Sequence, residues 1–131
     1  MNYLMRDDIL DLHMLALERF GGRLGIKSQD RLLSAINAAQ QVAFGEELYP
    51  DVASKAAVLG FQLLKNRPFV AGNEATALLA VLRFLEINEV VLGAALVEGL
   101  ARELRAVLRS ERSRDELTDW LRDQLGVGVE E

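Results

Sequence analysis

Cysteine is absent from this chain, which removes disulfides, thiolate chemistry and cysteine-ligated metals together. Histidine occurs once, as His13, so a multi-histidine metal site is excluded as well. Basic charge is scarce: 15 Lys and Arg against 20 Asp and Glu leave a net charge of -5, whereas nucleic-acid binding usually relies on a basic face that neutralises phosphates. The local exception is the stretch holding Arg102, Arg105, Arg109, Arg112 and Arg114. With Glu98 and Glu103 close by, it reads as a solvated, salt-bridged helix, the alternative being a binding patch. No apolar run approaches the length that spans a bilayer. The start, Met1 to Asp8, lacks the basic region followed by an apolar core of a secretory signal. The expectation is a cytoplasmic protein with neither nucleic acid nor membrane as partner.

What is present is enough to build a core. Half of the 131 residues are hydrophobic and 27% are charged, a globular rather than a disordered balance. The length suits one domain, residues 1–131, with 126–131 frayed. Helix signals dominate. Ile9, Leu12, His13, Ala16 and Phe20 recur at three- and four-residue spacing, and Gly21-Gly22 stops that helix. Ser28 is a natural N-cap for a second helix with Leu32, Leu33, Ile36 and Ala39 inward. Between Val42 and Pro50 the pattern breaks, and Phe44-Gly45-Glu46-Glu47 reads as a turn. Asp51 caps a third helix to about Lys65 with Val52, Ala56, Leu59 and Leu63 as its stripe. Residues Asn66 to Gly72 form a loop: Pro68 biases Arg67 away from helical angles, and Gly72 permits a tight turn. A fourth helix, capped by Asn73, runs from about Glu74 to Asn88. It is apolar nearly all round, which predicts a central, buried position. After a short connector at Val90-Val91-Leu92 come a fifth helix, Ala94 to about Leu108, and a last one opened by the capping box Ser113-Arg114-Asp115-Glu116 and running to about Leu125.

The segment Asn66-Arg67-Pro68-Phe69-Val70-Ala71-Gly72-Asn73-Glu74-Ala75-Thr76-Ala77 carries the functional signal. It resembles the signature loop of the Fic/Doc (death-on-curing) family, approximately His-Pro-Phe-x-Asp/Glu-Gly-Asn-Lys-Arg-Thr. The resemblance extends along the chain. Glu18-Arg19-Phe20-Gly21-Gly22 is similar to the end of the family's first helix, and Gln40 to Asp51 is similar to its flap, the hairpin over the active site. Phe84-Leu85-Glu86-Ile87-Asn88 fits the end of its central helix, where Glu89 replaces a frequent glycine. The resemblance implies an all-α Fido bundle of about six helices with a central buried helix and a short flap hairpin.

It also implies a set of roles. In the family, a histidine acts as general base on a target hydroxyl, and an acidic residue holds a Mg²⁺ that bridges nucleotide phosphates. The N–H groups of the following helix, with a lysine and an arginine, neutralise the phosphates. Relatives transfer a nucleotidyl or phosphoryl group to a protein, and Doc toxins pair with a small antitoxin. Here Pro68, Phe69, Gly72, Asn73 and Thr76 match the scaffold of that motif. The base position holds Arg67, whose guanidinium cannot accept a proton. The acidic position holds Ala71, the lysine position Glu74 and the arginine position Ala75. No metal site and no intact catalytic residue are therefore expected, and no cofactor. Mg²⁺ and ATP are expected only if the ancestral activity persists. Gly72, Asn73, Glu74 and Ala75 remain as an anion nest. The reading is a catalytically degenerate Doc-like protein whose remaining function is binding, to an antitoxin-like peptide or protein, to the ancestral target or to itself. The alternative is an active toxin, a protein phosphotransferase or nucleotidyltransferase.

Other residues have bland and sharp readings. His13 reads as a hydrogen-bonded core or boundary residue rather than a ligand. Phe69 reads as the loop's anchor, and Trp120 as packing for the last helix rather than a partner hot spot. Glu46 and Glu47 suit a solvated turn more than a metal or peptide site. Arg67 is expected in a surface ion pair, with Glu74 as a candidate partner, rather than on a phosphate or an acidic partner, and Thr76 in a local helix hydrogen bond.

Overall fold

The computed structural model describes residues 1–126; of the expected fraying of 126–131, all but Gly126, which caps the last helix in the left-handed conformation, lies outside the described residues. Six helices follow in order: α1 (Arg6–Phe20), α2 (Gln29–Ala38), α3 (Val52–Asn66), α4 (Asn73–Ile87), α5 (Ala94–Leu108) and α6 (Arg114–Leu125). Between α2 and α3 stands a two-stranded antiparallel hairpin, β1 (Val42–Ala43) and β2 (Glu46–Glu47). The expected bundle with its short hairpin is what the chain builds. Among the described residues, no helix is long and apolar enough to cross a membrane.

The most enclosed helix is α3. Every residue from Ala53 to Gly60 is buried, and α3 packs against α2, α4, α5 and α6. Its small residues allow the approach: a Cβ placed on Gly60 would stand 2.7 Å from Val81 Cγ2 and 3.3 Å from Leu104 Cδ2. The expected central helix α4 packs on α1, α3 and α5 and buries Asn73, Thr76, Ala77, Ala80, Val81, Phe84 and Leu85, while Leu78, Leu79 and Leu82 are half-buried; α3 is more enclosed still.

Helix ends follow local chemistry. The Ser28 and Ser113 hydroxyls accept from the N–H groups of Arg31 and Glu116. Asp51 stands at the N-cap of α3, but both of its carboxylate oxygens accept from Arg122 of α6 at 3.0 Å. Those hydrogen bonds pull its pKa down to about 2. Glu89, after α4, has φ +70°, a left-handed conformation that explains the glycine preference of the motif it resembles. In the hairpin, Phe44 (φ +53°) and Gly45 (φ +81°) form the turn, as two-residue hairpins of this hand require. Glu46 and Glu47 belong to β2 rather than to the turn.

Two inward assignments fail. Leu33 is exposed because it falls about 100° round α2 from Leu32, whereas Leu32, Ala35 and Ile36 meet the core. Phe20 is 71% exposed. It follows Ile9, His13 and Ala16 in register, but as the last residue of α1 it overhangs the cleft described below.

Candidate functional site

The loop from Asn66 to Gly72 is built almost entirely by main-chain and scaffold contacts. The last helical turn of α3 ends at Arg67, which adopts the left-handed conformation (φ +47°, ψ +61°), outside both the right-handed helix and the extended region. The chain then runs beside residues 25–28. Pro68 O accepts from Lys27 and Ser28 N–H, Val70 N–H donates to Gly25 O, and Ile26 and Phe69 form an isolated antiparallel bridge. Outside this, the Asn66 carboxamide donates to Arg31 O at 3.0 Å.

Asn73 closes the loop. Its Oδ1 accepts from Phe69 N–H at 3.0 Å, and its Nδ2 donates to Phe69 O at 2.9 Å. Asn73 was expected to cap α4. It is instead the first residue of that helix, Gly72 (φ +76°) precedes it, and no side chain caps the first turn. A Cβ on Gly72 would lie 3.2 Å from Leu17 Cδ2, so both conformation and space favour glycine there.

Phe69 is the anchor expected of it, 1% exposed. Its ring stacks on His13 with centroids 3.8 Å apart and planes 10° from parallel. His13 is buried, and its Nδ1 lies 3.2 Å from Thr76 Oγ1. Thr76 is thus bonded across the fold, not locally within its helix, because its buried position on α4 faces α1. His13 Nε2 has no hydrogen-bond partner among the described residues. The neutral tautomer protonated on Nδ1, donating to Thr76, leaves no N–H orphaned. Burial lowers the His13 pKa, because a charged ring there would lose hydration.

In front of this frame lies a cavity of about 490 Å³. Arg67, Gly72, Asn73, Glu74 and Ala75 line it, together with Phe20 at the end of α1 and Gly21 just after it, Leu78 and Leu79 from α4, and Ala101 and Arg105 from α5. The structure therefore gathers most of the motif at one cleft. Pro68 and Phe69 lie behind it as support. Ala71 is outside the lining: a Cβ on Gly22 would come within 3.2 Å of its methyl group, so it faces the segment after α1.

The expected Arg67–Glu74 ion pair is not formed. Among the described residues, the six ion pairs include neither Arg67, Glu74 nor Arg105. The left-handed turn at Arg67 and the start of α4 leave the two side chains lining the same cleft without an ion pair. Of the arginine stretch, Arg112 pairs with Glu103 at 3.0 Å. Arg105 reaches the cleft from α5; the sequence reading placed it only in the basic stretch, as a solvated residue or part of a binding patch, and not at this cleft. Its only signal is the four-residue spacing from Ala101, which places both on one helical face.

Two further expectations meet different outcomes. Trp120 packs: a Cβ on Gly99 would stand 2.5 Å from its Cζ2. Glu47 is not simply solvated, since its Oε1 accepts from Lys55 Nζ at 2.6 Å. No hairpin residue lines the cleft.

Comparison with known proteins agrees with the motif. The sequence model of the Fic/DOC family matches residues 3–85. Over 92 residues the chain is 38% identical to a protein named Toxin Doc from Mycolicibacterium smegmatis, a stretch that covers 70% of this chain and 68% of that protein.

Proposed function

The chain belongs to the Fic/DOC family, and from that premise we propose that it is a catalytically degenerate Doc-like protein, a cytoplasmic binding or regulatory remnant of a toxin–antitoxin module. One observation carries the reading: the frame of the signature loop is intact while the side chains at its chemical positions are wrong for transfer. Asn73, Phe69, Gly72, Pro68, His13 and Thr76 hold the loop by the contacts described above. Arg67 stands at the base position, and a guanidinium offers donors only.

The donor set of the cleft suits a magnesium–nucleotide poorly. Its ionisable members are Arg67, Arg105 and Glu74, and Mg²⁺ in nucleotide sites is bound by carboxylates that supplement the phosphates. Glu74 is the one carboxylate there. It occupies the position of a phosphate-binding lysine and adds charge of the wrong sign. As an acidic residue in the first turn of α4, it also answers the positive end of the helix dipole that a phosphate would use. No step of a transfer reaction is therefore derived for this chain. A peptide or protein partner of the antitoxin kind is the binding role that the family suggests.

Titration calorimetry with ATP and Mg²⁺ tests the reading. Binding no tighter than about millimolar is expected, since Ala71, Glu74 and Ala75 replace the metal ligand and the lysine–arginine pair that offset desolvation of a triphosphate. Micromolar affinity abolished by a chelator would overturn it. So would growth arrest on expression of the unmodified chain that Arg67→Ala removes, which would establish the alternative, an active toxin.

A further inference from the structure

Lys55 is 1% exposed and is among the largest fully buried side chains of the protein. A lysine gives up strong hydration when it is buried, so its ammonium must find partners. Nζ donates to Ala39 O at 2.8 Å, at the end of α2, and to Glu47 Oε1 at 2.6 Å, in β2. It lies 5.5 Å from the ring centroid of Tyr3. One side chain of α3 thus joins the N-terminal segment, the end of α2 and the hairpin.

The hairpin has few other attachments. Val42, Phe44 and Leu48 are exposed, Phe44 completely, so burial of apolar side chains does not fix the ribbon. The bond from Leu48 N–H to Gln41 O is internal to it. Beyond the strands, Tyr49 packs beside Ala38, Ala39 and Val58, and its hydroxyl accepts from Arg114 at 3.2 Å. Among the described residues, that leaves the Lys55–Glu47 pair as the side-chain tie to the strands themselves. The pair is asymmetric. Lys55 is enclosed, but Glu47 is about half exposed and can leave for solvent.

We propose that Lys55 is a latch for the hairpin: its bond to Glu47 holds residues 42–47 in one pose, and loss of that bond frees the ribbon while the six-helix bundle stays folded. Lys55 keeps Ala39 O and the Tyr3 ring as partners after release, so the open state does not strand a bare buried charge. The inference is independent of whether the cleft binds or transfers anything. Lys55 precedes Arg67 by 12 residues, roughly 18 Å along the α3 axis.

Hydrogen exchange read by mass spectrometry tests the latch. Glu47→Ala is expected to accelerate exchange across residues 41–48 by roughly tenfold, the scale of one partly exposed charge-assisted bond. Amides of α3 and α4 should keep their rates. Glu47→Gln, which retains an acceptor without the charge, should fall between Glu47→Ala and the unmodified chain. Lys55→Met should match Glu47→Ala at the hairpin, and combining the two should add nothing there. If Lys55→Met unfolds the protein, the two Glu47 variants decide the matter alone. Hairpin exchange unchanged in Glu47→Ala overturns the proposal. Exchange that rises equally in hairpin and bundle also overturns it, since that is a contribution to global stability and not a latch.

Discussion

Replacing Asn73 with alanine isolates the device that holds the signature loop. The carboxamide makes two bonds to one residue, accepting from Phe69 N–H and donating to Phe69 O. Both residues are nearly enclosed, at 4% and 1% exposure. Truncation leaves a buried donor and a buried acceptor, each costing about 1–3 kcal/mol when unsatisfied. Asn73 also lines the cleft, so water can enter the space vacated and recover part of that cost. The expected loss is therefore about 2 kcal/mol, towards the lower end of the two-group sum. Asn73→Asp refines the argument. It preserves the acceptor for Phe69 N–H but sets a carboxylate oxygen against Phe69 O, so it should destabilise as much as alanine despite its near-identical shape. Urea unfolding at neutral pH measures both, with an unchanged slope as the sign that the native fold persists. Glu74→Ala serves as the comparison: Glu74 is exposed and in no ion pair among the described residues, so it should change stability by less than about 0.5 kcal/mol. An Asn73→Ala cost as small as that of Glu74→Ala would refute the reasoning and reduce the clamp to a bystander.

Two other outcomes follow from packing and titration. Gly60→Ala should lose about 1–3 kcal/mol in spite of alanine's better helix propensity, because the new methyl meets Val81 Cγ2 at 2.7 Å; adding Val81→Ala should return part of the loss in the same urea assay. His13 has its pKa lowered by burial, so the unfolded chain binds the proton more readily than the folded one. Its contribution is therefore fully present above about pH 6.5 and is lost as the pH falls below that value towards the folded pKa, at up to about 1.4 kcal/mol per unit. Stability measured from pH 7 to pH 5 should show this slope, and His13→Gln should flatten it; an equal slope in the variant would show that other groups are responsible.

The sequence announced helices through regular spacing and through their stops, and those survive in the structure. It was least informative where residues are small. The run Ala53-Ser54-Lys55-Ala56-Ala57 looks weakly amphipathic beside the leucine-rich α4, yet small side chains let neighbours approach most closely, and α3 became the most enclosed helix. Lys55 was passed over because lysine reads as surface. Its position was nonetheless a clue, three residues after Val52 and four before Leu59, on the apolar stripe itself. At the cleft, paired landmarks on both sides of Ala71 fixed the register of the motif, so the positions of Arg67, Glu74 and Ala75 could be read in advance. Whether Arg67 and Glu74 touch could not, because that depends on the left-handed turn at Arg67. The arrival of Arg105 depends on how α5 crosses α4, which no local pattern encodes.

The reciprocal bonds between Asn73 and Phe69 make the loop indifferent to what its rim carries. Shape is specified by Pro68, Phe69, Gly72, Asn73 and the His13–Thr76 pair behind them, while Arg67, Glu74 and Ala75 contribute side chains to the opening and little to folding. Such a division lets the rim side chains change without a penalty in stability, because folding does not depend on them. The same division makes the chain a ready host for redesign: three rim positions around a preformed cavity of about 490 Å³ can be rewritten while the frame that presents them is left alone.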